Sequence, residues 1–220
     1  MRILFIGSVQ FSKDCLLKMI KMGCAPVGVC TLEKSTFNSD HFDLSPICSE
    51  NSIPYISSKD LNSEKSLQWI KNLEPEIIFC FGWSKLLKKK LLNLTPGGVV
   101  GFHPTALPRN RGRHPLIWAL VLGLNKTAST FFFMDEGADS GDIISQKQIT
   151  ITKNDNAESL YKKMTVVAID QLQDLIEKLK SGSIIRKKQN HNKSNSWRKR
   201  GMLDGKIDWR MTARSIHNLI

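Results

Sequence analysis

The chain has 220 residues, of which 41% are hydrophobic and 24% are charged, a composition typical of a folded globular protein rather than of a disordered chain. Lys and Arg outnumber Asp and Glu by 32 to 20, so the formal net charge is +12. No apolar run approaches the roughly 18 residues that a membrane-spanning helix needs, and the first residues lack a small-residue cleavage site, which argues against a membrane protein and a signal peptide.

Hydrophobic patterning alternates between strands and helices along the chain. Short continuous apolar runs predict strands buried on both faces, and apolar residues at intervals of three and four predict amphipathic helices. Strands are predicted at residues 3–7, 26–32, 54–56, 76–82, 98–102, 128–134 and 143–151. Helices are predicted at 11–23, 62–73, 85–92, 115–124 and 157–179, and a loop at 37–49. This alternation predicts an α/β fold with a doubly wound, mostly parallel sheet.

The first turn after a strand, Gly7-Ser8-Val9-Gln10, is one candidate ligand site. Ligands of such sheets bind at the carboxyl ends of the strands, where the strand order reverses. The turn lacks the GxGxxG pattern of a dinucleotide site. It could hold a phosphate at the following helix N-terminus, or it could be a purely structural turn.

A second candidate is the segment 101–115, in which His103 follows a predicted strand. A loop with three prolines and three arginines comes next, and prolines reduce the freedom of such a loop. Histidine is the commonest general acid or base, and arginine can donate two parallel hydrogen bonds to a carboxylate or phosphate. A catalytic His103 is therefore favoured over a structural one.

A third candidate is the acidic loop at 134–143, which contains Asp135, Glu136, Asp139 and Asp142. Its spacing does not match a calcium-binding loop, and no His or Cys lies beside it. The loop could instead provide a carboxylate that orients a neighbouring histidine, or it could be a plain charged turn.

Positive charge is concentrated at the C-terminal end. Residues 186–220 contain ten Lys or Arg and two Asp, so they carry +8 and leave +4 for residues 1–185. We therefore predict a nearly neutral domain over 1–185 and a basic extension over 186–220 that ends in a helix. The run 186–200 has seven basic residues and no acid, which indicates either an anionic partner or a solvated connector.

Five cysteines occur, without CxxC spacing. An odd number of cysteines in this pattern is typical of reduced thiols, and it predicts a cytoplasmic protein with no membrane partner.

Together, two motifs resemble those of the folate-dependent formyltransferase family, which includes glycinamide ribonucleotide transformylase, methionyl-tRNA formyltransferase and the sugar N-formyltransferases. One is the strand followed by His-Pro-x-x-Leu-Pro-x-x-Arg-Gly from His103, and the other is Met-Asp-Glu-Gly-x-Asp-x-Gly from Met134. The resemblance implies a Rossmann-like catalytic domain over 1–185. It also implies transfer of a formyl group from N10-formyltetrahydrofolate to an amine, without a metal.

The same resemblance implies roles for individual residues. His103 would stabilise the developing oxyanion and move a proton, while Asp139 would orient it. Folate would contact Ser84, Lys85, Leu86, Leu87, Asp135, Glu136, Gly137, Ala138 and Asp139. The acceptor would contact Gly7, Ser8, Thr105, Arg111 and Arg113.

One position departs from the family pattern. The family usually places an Asn two residues before the histidine, where it holds the formyl oxygen, and this chain has Gly101. Loss of one oxyanion donor costs on the order of 10²–10³ in rate in other enzymes. His114 and Asn110 are candidate replacement donors, and a catalytically weakened folate- or nucleotide-sugar-binding protein is an alternative.

The acceptor is predicted to be a nucleotide-linked amino sugar of the kind used in lipopolysaccharide or other surface-polysaccharide synthesis. The region after the catalytic domain resembles that of the sugar enzymes, and the sequence leaves no room for the barrel domain with which the tRNA enzyme grips its substrate. A methionyl-tRNA formyltransferase-like enzyme is the alternative, with tRNA a less favoured partner. The prediction leaves the nucleotide and the sugar open, and it allows a homodimer.

Overall fold

A computed structural model of the chain describes residues 1–35 and 39–220. The strands of its main sheet are β1 (Ile3–Ile6), β2 (Gly28–Thr31), β3 (Tyr55–Ser57), β4 (Ile77–Cys80), β5 (Val99–His103), β7 (Lys126–Phe133) and β8 (Ile143–Thr150). Two short strands, β6 (Arg111–Gly112) and β9 (Ser196–Trp197), pair separately. The α-helices are α1 (Gln10–Lys21), α2 (Ser45–Glu50), α3 (Glu64–Asn72), α4 (Lys89–Leu92), α5 (Pro115–Val121), α6 (Ala157–Lys180) and α7 (Ala213–Leu219).

The main sheet has the order β3-β2-β1-β4-β5-β7-β8. The first five of these strands run parallel, and β7 and β8 add two antiparallel strands at one edge. The chain leaves β1 for β2 on one side and later returns to place β4 on the other. The strand order therefore reverses between β1 and β4, which confirms the predicted doubly wound, mostly parallel α/β fold.

Alternation along β1 shows how the sheet is covered on both faces. Ile3 and Phe5 belong to one hydrophobic cluster, and Leu4 and Ile6 belong to another, because successive strand side chains point to opposite faces. Helices α1 and α6 contribute to the first cluster, and α3 and α4 contribute to the second. The continuous apolar run that predicted β1 is thus buried by helices on both sides.

Two predicted elements differ from the structure. The predicted loop at 37–49 contains α2, whose Ile47 and Cys48 are buried; residues 37 and 38 of that loop lie outside the described residues. The predicted helix at 85–92 begins only at Lys89. The Asn62 side chain explains the late start, because it donates to the Leu86 carbonyl (3.0 Å) and accepts from the Lys88 amide (2.7 Å), which holds 85–88 outside the helix.

The C-terminal segment is joined to the catalytic region by strand pairing. β9 lies parallel to β6, with Arg111 opposite Ser196 and Gly112 opposite Trp197. The chain ends in α7, and α5 and α7 are in contact. Across the described residues, no helix is both long and apolar enough to cross a membrane.

Candidate active site

The candidate site lies at the carboxyl ends of β1, β4 and β5, where the strand order reverses. A cavity of about 250 Å³, here called the inner cavity, opens at this edge. Its lining includes Val9 after β1, Gly82, Trp83 and Ser84 after β4, Gly101 in β5, and Met134, Asp139 and Asp40. This is the position where ligands bind in open α/β sheets.

His103 is the last residue of β5 and is only 5% exposed. Its Nε2 lies 2.9 Å from the backbone carbonyl of Asn110. Because a carbonyl can only accept, Nε2 carries a hydrogen and donates it, which leaves Nδ1 as the nitrogen that can gain or lose a proton. Asn110 adopts a positive φ of 62°, which brings its carbonyl to the imidazole.

Asp139 faces Nδ1 of His103 with its Oδ2 at 3.5 Å. The same oxygen accepts a hydrogen bond from the Gly112 amide at 2.9 Å. Asp139 has a positive φ of 53°, a backbone conformation that Asp tolerates better than most residues. Asp139 lines the inner cavity, whereas His103 is not part of its lining and contacts Asp139 from behind. The structure therefore brings the two predicted catalytic residues together.

Gly112 has no room for a side chain. A Cβ on this residue would lie 2.2 Å from the carbonyl oxygen of Trp197, and its φ of 101° is also unfavourable for other residues. The close approach lets β9 pair with the catalytic loop and leaves the Gly112 amide directed at Asp139.

Gln189, which is 6% exposed, lies in the C-terminal segment and contacts both the loop that contains Arg111 and the loop that contains Asp139. Its Nε2 donates to the carbonyls of Asp139 (2.9 Å) and Gly141 (2.7 Å), and its Oε1 accepts from Arg111 (2.6 Å). The basic segment thus contains buried structural contacts, a role that neither hypothesis drawn from its charge foresaw.

Gln189→Ala is expected to lower the free energy of unfolding by about 1–3 kcal/mol, because it leaves the Asp139 and Gly141 carbonyls without the Gln189 donor and removes one acceptor from Arg111. Urea unfolding measures the change. Gln173→Ala provides the control, since Gln173 is exposed and only accepts from Lys18. Equal stability of the two variants would contradict this stabilising role of Gln189.

Of the nine residues predicted to bind folate, Ser84 and Asp139 line the inner cavity, and the contacts of the other seven with folate stay predictions. Ser84–Leu87 is non-helical, and the Ser84 carbonyl accepts from Arg113 at 3.0 Å. Asp135 shapes the opposite loop, because its Oδ1 accepts from the Gly137 amide (3.0 Å) and the Ser140 hydroxyl (2.6 Å). Glu136 forms an exposed ion pair of 3.0 Å with Lys89, which joins this loop to α4.

Residues predicted to bind the acceptor are placed less favourably. The Ser8 and Thr105 side chains are 1% and 0% exposed, and Thr105 Oγ1 donates to the Arg109 carbonyl. Arg111 is 8% exposed and is bound to Gln189. Gly7 is enclosed by Ser12 and the Phe81 carbonyl. These four residues are buried, closely packed or hydrogen-bonded within the protein. Their predicted contacts with a substrate therefore stay predictions.

Gly101 is packed against Met134. A Cβ on Gly101 would lie 2.8 Å from the Met134 Cγ, so methionine fills the space beside the glycine. The two candidate replacement donors do not line the inner cavity: Asn110 offers its carbonyl to His103, and His114 lies further out. The sequence could not place Met134 here, because the contact joins different strands.

A wider space continues outward from the inner cavity. A middle cavity of about 160 Å³ shares Val9, Asp40, Gly82 and Phe102 with it. An outer groove of about 820 Å³ shares Asp40 and Tyr161 with the middle cavity, and its lining also includes Gln10, Asp14, His114 and Lys162. Sequence analysis did not single out Asp40 or Tyr161, since no local motif contains them.

His114 marks a positive end of the outer groove. Burial lowers its pKa, and the nearby charges of Arg113, Lys199 and Arg200 lower it further. The imidazole is therefore neutral near pH 7, while the three cations around it create a positive potential that suits an anionic ligand.

No group of three or more His, Cys, Asp or Glu side chains within residues 1–35 and 39–220 is arranged to hold a metal ion. All five cysteines are free thiols.

The sequence matches the family described as “Formyl transferase” over residues 1–176. The methionyl-tRNA formyltransferase of Clostridioides difficile is 30% identical over 224 aligned positions, which cover all of this chain and 72% of that protein.

Two solved structures share the fold. The sugar 3N-formyl transferase WlaRD, in the presence of dTDP and 5-N-formyl-THF, has a TM-score of 0.78 at 20% identity over all of this chain and 78% of that one. The N-formyltransferase from Helicobacter canadensis, in complex with folinic acid and dTDP-3-aminofucose, has a TM-score of 0.77 at 19% identity over all of this chain and 79% of that one.

Proposed function

We propose that this chain, which belongs to the formyl transferase family, moves a formyl group from N10-formyltetrahydrofolate to the amine of a nucleotide-linked amino sugar. Membership makes it an enzyme of folate-dependent one-carbon transfer. The observation that carries the proposal is the contact of His103 Nδ1 with Asp139 Oδ2 at the wall of the inner cavity. It places a nitrogen that can hold a proton beside a carboxylate in a ligand-sized cleft.

Folate is proposed to bind between the two walls of the inner cavity. The wall after β4 presents the flat Trp83 ring and the non-helical backbone of Ser84–Leu87, whose peptide groups can hydrogen-bond the edge of a pterin. The facing wall includes Met134 and Asp139, which lie at the two ends of the segment 135–138. Both walls fit a planar ligand with polar edges, and the bound folate supplies the formyl group. Opening of the Lys89–Glu136 ion pair would cost little, because both side chains are exposed.

His103 and Asp139 are proposed to transfer protons and to stabilise the charge that develops during formyl transfer. Nε2 of His103 stays protonated through the Asn110 carbonyl, so any proton gained from the reaction resides on Nδ1. The resulting imidazolium is stabilised by Asp139, and its positive charge favours negative charge on the formyl oxygen. Asp139 borders the cavity itself, so it also carries protons between the cavity and His103.

The outer groove is proposed to hold the acceptor. Its volume of about 820 Å³ suits a drug-sized ligand, and it leads through the middle cavity to Asp139. His114 lines this groove, and the charges of Arg113, Lys199 and Arg200 act on it from nearby, so a diphosphate would be attracted to this end. The complexes of the neighbouring sugar enzymes, with dTDP and with dTDP-3-aminofucose, support this acceptor class.

Methionyl-tRNA is the second candidate acceptor. It is favoured by the 30% identity to the Clostridioides difficile enzyme, which spans the whole of this chain. The basic residues of 186–200 would then contact the RNA backbone, and binding should weaken steeply as salt is added.

A formylation panel separates the two candidates. The protein is incubated with N10-formyltetrahydrofolate and with UDP-, GDP- and dTDP-linked amino sugars, and separately with charged initiator tRNA, and products are identified by mass spectrometry. We expect one amino-sugar nucleotide to gain a formyl group. Formylated methionyl-tRNA without formylated sugar would replace the proposal by the second candidate. No product at all would favour a weakened binding protein.

A further inference from the structure

Asp40 is a carboxylate at the junction of all three spaces of the site. It lines the inner cavity together with Asp139, and it also lines the middle cavity and the outer groove. No Lys or Arg is among the described residues that line the inner and middle cavities. Asp40 is therefore a negative charge between the outer groove and the inner cavity, and Lys162 is the one Lys or Arg among the described residues that line any of the three spaces.

The backbone around Asp40 is fixed to the turn that follows β1. The Gln10 amide donates to the Asp40 carbonyl and the Phe42 amide donates to the Ser8 carbonyl, each at 2.9 Å. Val9 and His41 form a β-bridge between them. These contacts hold the Asp40 backbone against the rim of the cleft.

Tyr161 fixes one oxygen of the Asp40 carboxylate. Its hydroxyl donates to Asp40 Oδ2 at 3.0 Å and accepts from the Phe11 amide at 2.9 Å. Burial, and then the charge of Asp40, raise the pKa of the Tyr161 phenol, so it remains a donor at neutral pH. No side chain among the described residues pairs with Oδ1, which leaves that oxygen available to a ligand.

We propose that Asp40 binds the protonated amine of the formyl acceptor. Aliphatic amines are largely protonated at neutral pH, and an ammonium group can donate to the Asp40 oxygen that no described side chain contacts. Asp139 on the inner cavity and Asp14 on the outer groove add negative charge that also favours a cation. Asp40 then holds the acceptor nitrogen as an ammonium group at the entrance to the inner cavity. That nitrogen must pass one proton to Asp139, on the wall of the same cavity, before its lone pair can attack the formyl carbon. This inference rests on the proposed transfer to an amine, but not on which molecule carries that amine.

The test measures steady-state kinetics of Asp40→Asn with the amine that the formylation panel identifies. We expect the KM for the amine to rise about 10- to 100-fold, because a charged hydrogen bond is lost, while the KM for N10-formyltetrahydrofolate changes by less than about twofold. Asp170→Asn, which removes one exposed carboxylate from α6, is the matched control and should keep the parent constants.

A binding measurement separates charge recognition from a structural role. By calorimetry, the parent protein should bind the amine at least about tenfold more tightly than the same molecule with a hydroxyl in place of the amine, and Asp40→Asn should lose this preference. Tyr161→Phe keeps the carboxylate and should retain the preference.

Three results would overturn the inference. The first is a KM for the amine that does not change in Asp40→Asn. The second is a Tyr161→Phe protein that loses the preference for the amine over the hydroxyl compound as fully as Asp40→Asn does. The third is an Asp40→Asn protein in which the KM values for the amine and for N10-formyltetrahydrofolate rise equally. A parent protein that formylates no amine would instead refute the proposed function, and this inference with it.

Discussion

Replacing His103 with asparagine is expected to lower the rate of formyl transfer by about 10²–10⁴-fold, the usual contribution of a positioned acid or base. The asparagine keeps a polar side chain at this buried position, but its amide ends near the place of Nδ1 and does not reach that of Nε2, so the Asn110 carbonyl loses one hydrogen bond, worth about 1 kcal/mol of stability. The asparagine cannot gain a proton on the side that faces Asp139. Transfer should therefore fail at the chemical step, which single-turnover measurement of formylated product detects.

Binding and folding provide the controls for this variant. His103→Asn should bind folinic acid with an affinity close to that of the parent protein, and its thermal unfolding should shift little. His217→Asn, at an exposed position in α7, should keep the parent rate. A His103→Asn protein that is folded and retains more than about a tenth of the parent rate would refute the assigned role.

Replacing Asp139 with asparagine is expected to lower the rate by about 10³–10⁴-fold, the scale observed where a carboxylate orients a catalytic histidine. The side chain keeps its shape, and its carbonyl oxygen can still accept from the Gly112 amide. What is lost is the negative charge 3.5 Å from His103 Nδ1, which stabilises the imidazolium. The variant thus separates the charge of Asp139 from its structural contact.

Asp174→Asn, a change of the same type at an exposed position of α6, should leave the rate unchanged. If Asp139→Asn unfolds at much lower urea than the parent protein, the loss of activity reflects the fold. If it is stable and active, Asp139 has no part in proton handling. Combining the His103 and Asp139 changes should cost little more than the larger single change, because residues that act as a unit are not additive.

The sequence carried much of the fold because its strands and long helices have local signatures. The run Ile3–Ile6 is apolar on both faces, and α6 begins at Ala157, directly after Asn156, whose side chain caps the helix by accepting from the Ser159 amide at 2.8 Å. The segment 85–88 was misassigned because its conformation is held by Asn62, more than twenty residues earlier. A local pattern cannot register such a contact.

The candidate site also contains some residues that a local motif identifies and others whose contacts are distant in the chain. His103 and Asp139 each lie in a compact motif, so both could be named from the sequence, and the structure brings them together. Gln189, Asp40 and Tyr161 act through partners far away in the chain, as in the hydrogen bond of Tyr161 to Asp40. For Arg111, the residue type suggested a contact with a ligand, which stays a prediction. The structure shows that its guanidinium forms a buried hydrogen bond to Gln189, a partner that the sequence pattern did not indicate.

The position of Gln189 has a consequence for the order of events during synthesis. A chain that leaves the ribosome from its N-terminus exposes both catalytic loops before residues 189–197 exist. Until those residues emerge, the Asp139 and Gly141 carbonyls lack the Gln189 amide, and β6 lacks β9. In the nascent chain the site around His103 and Asp139 is therefore incomplete. These two residues reach their final geometry only in one of the last steps of folding.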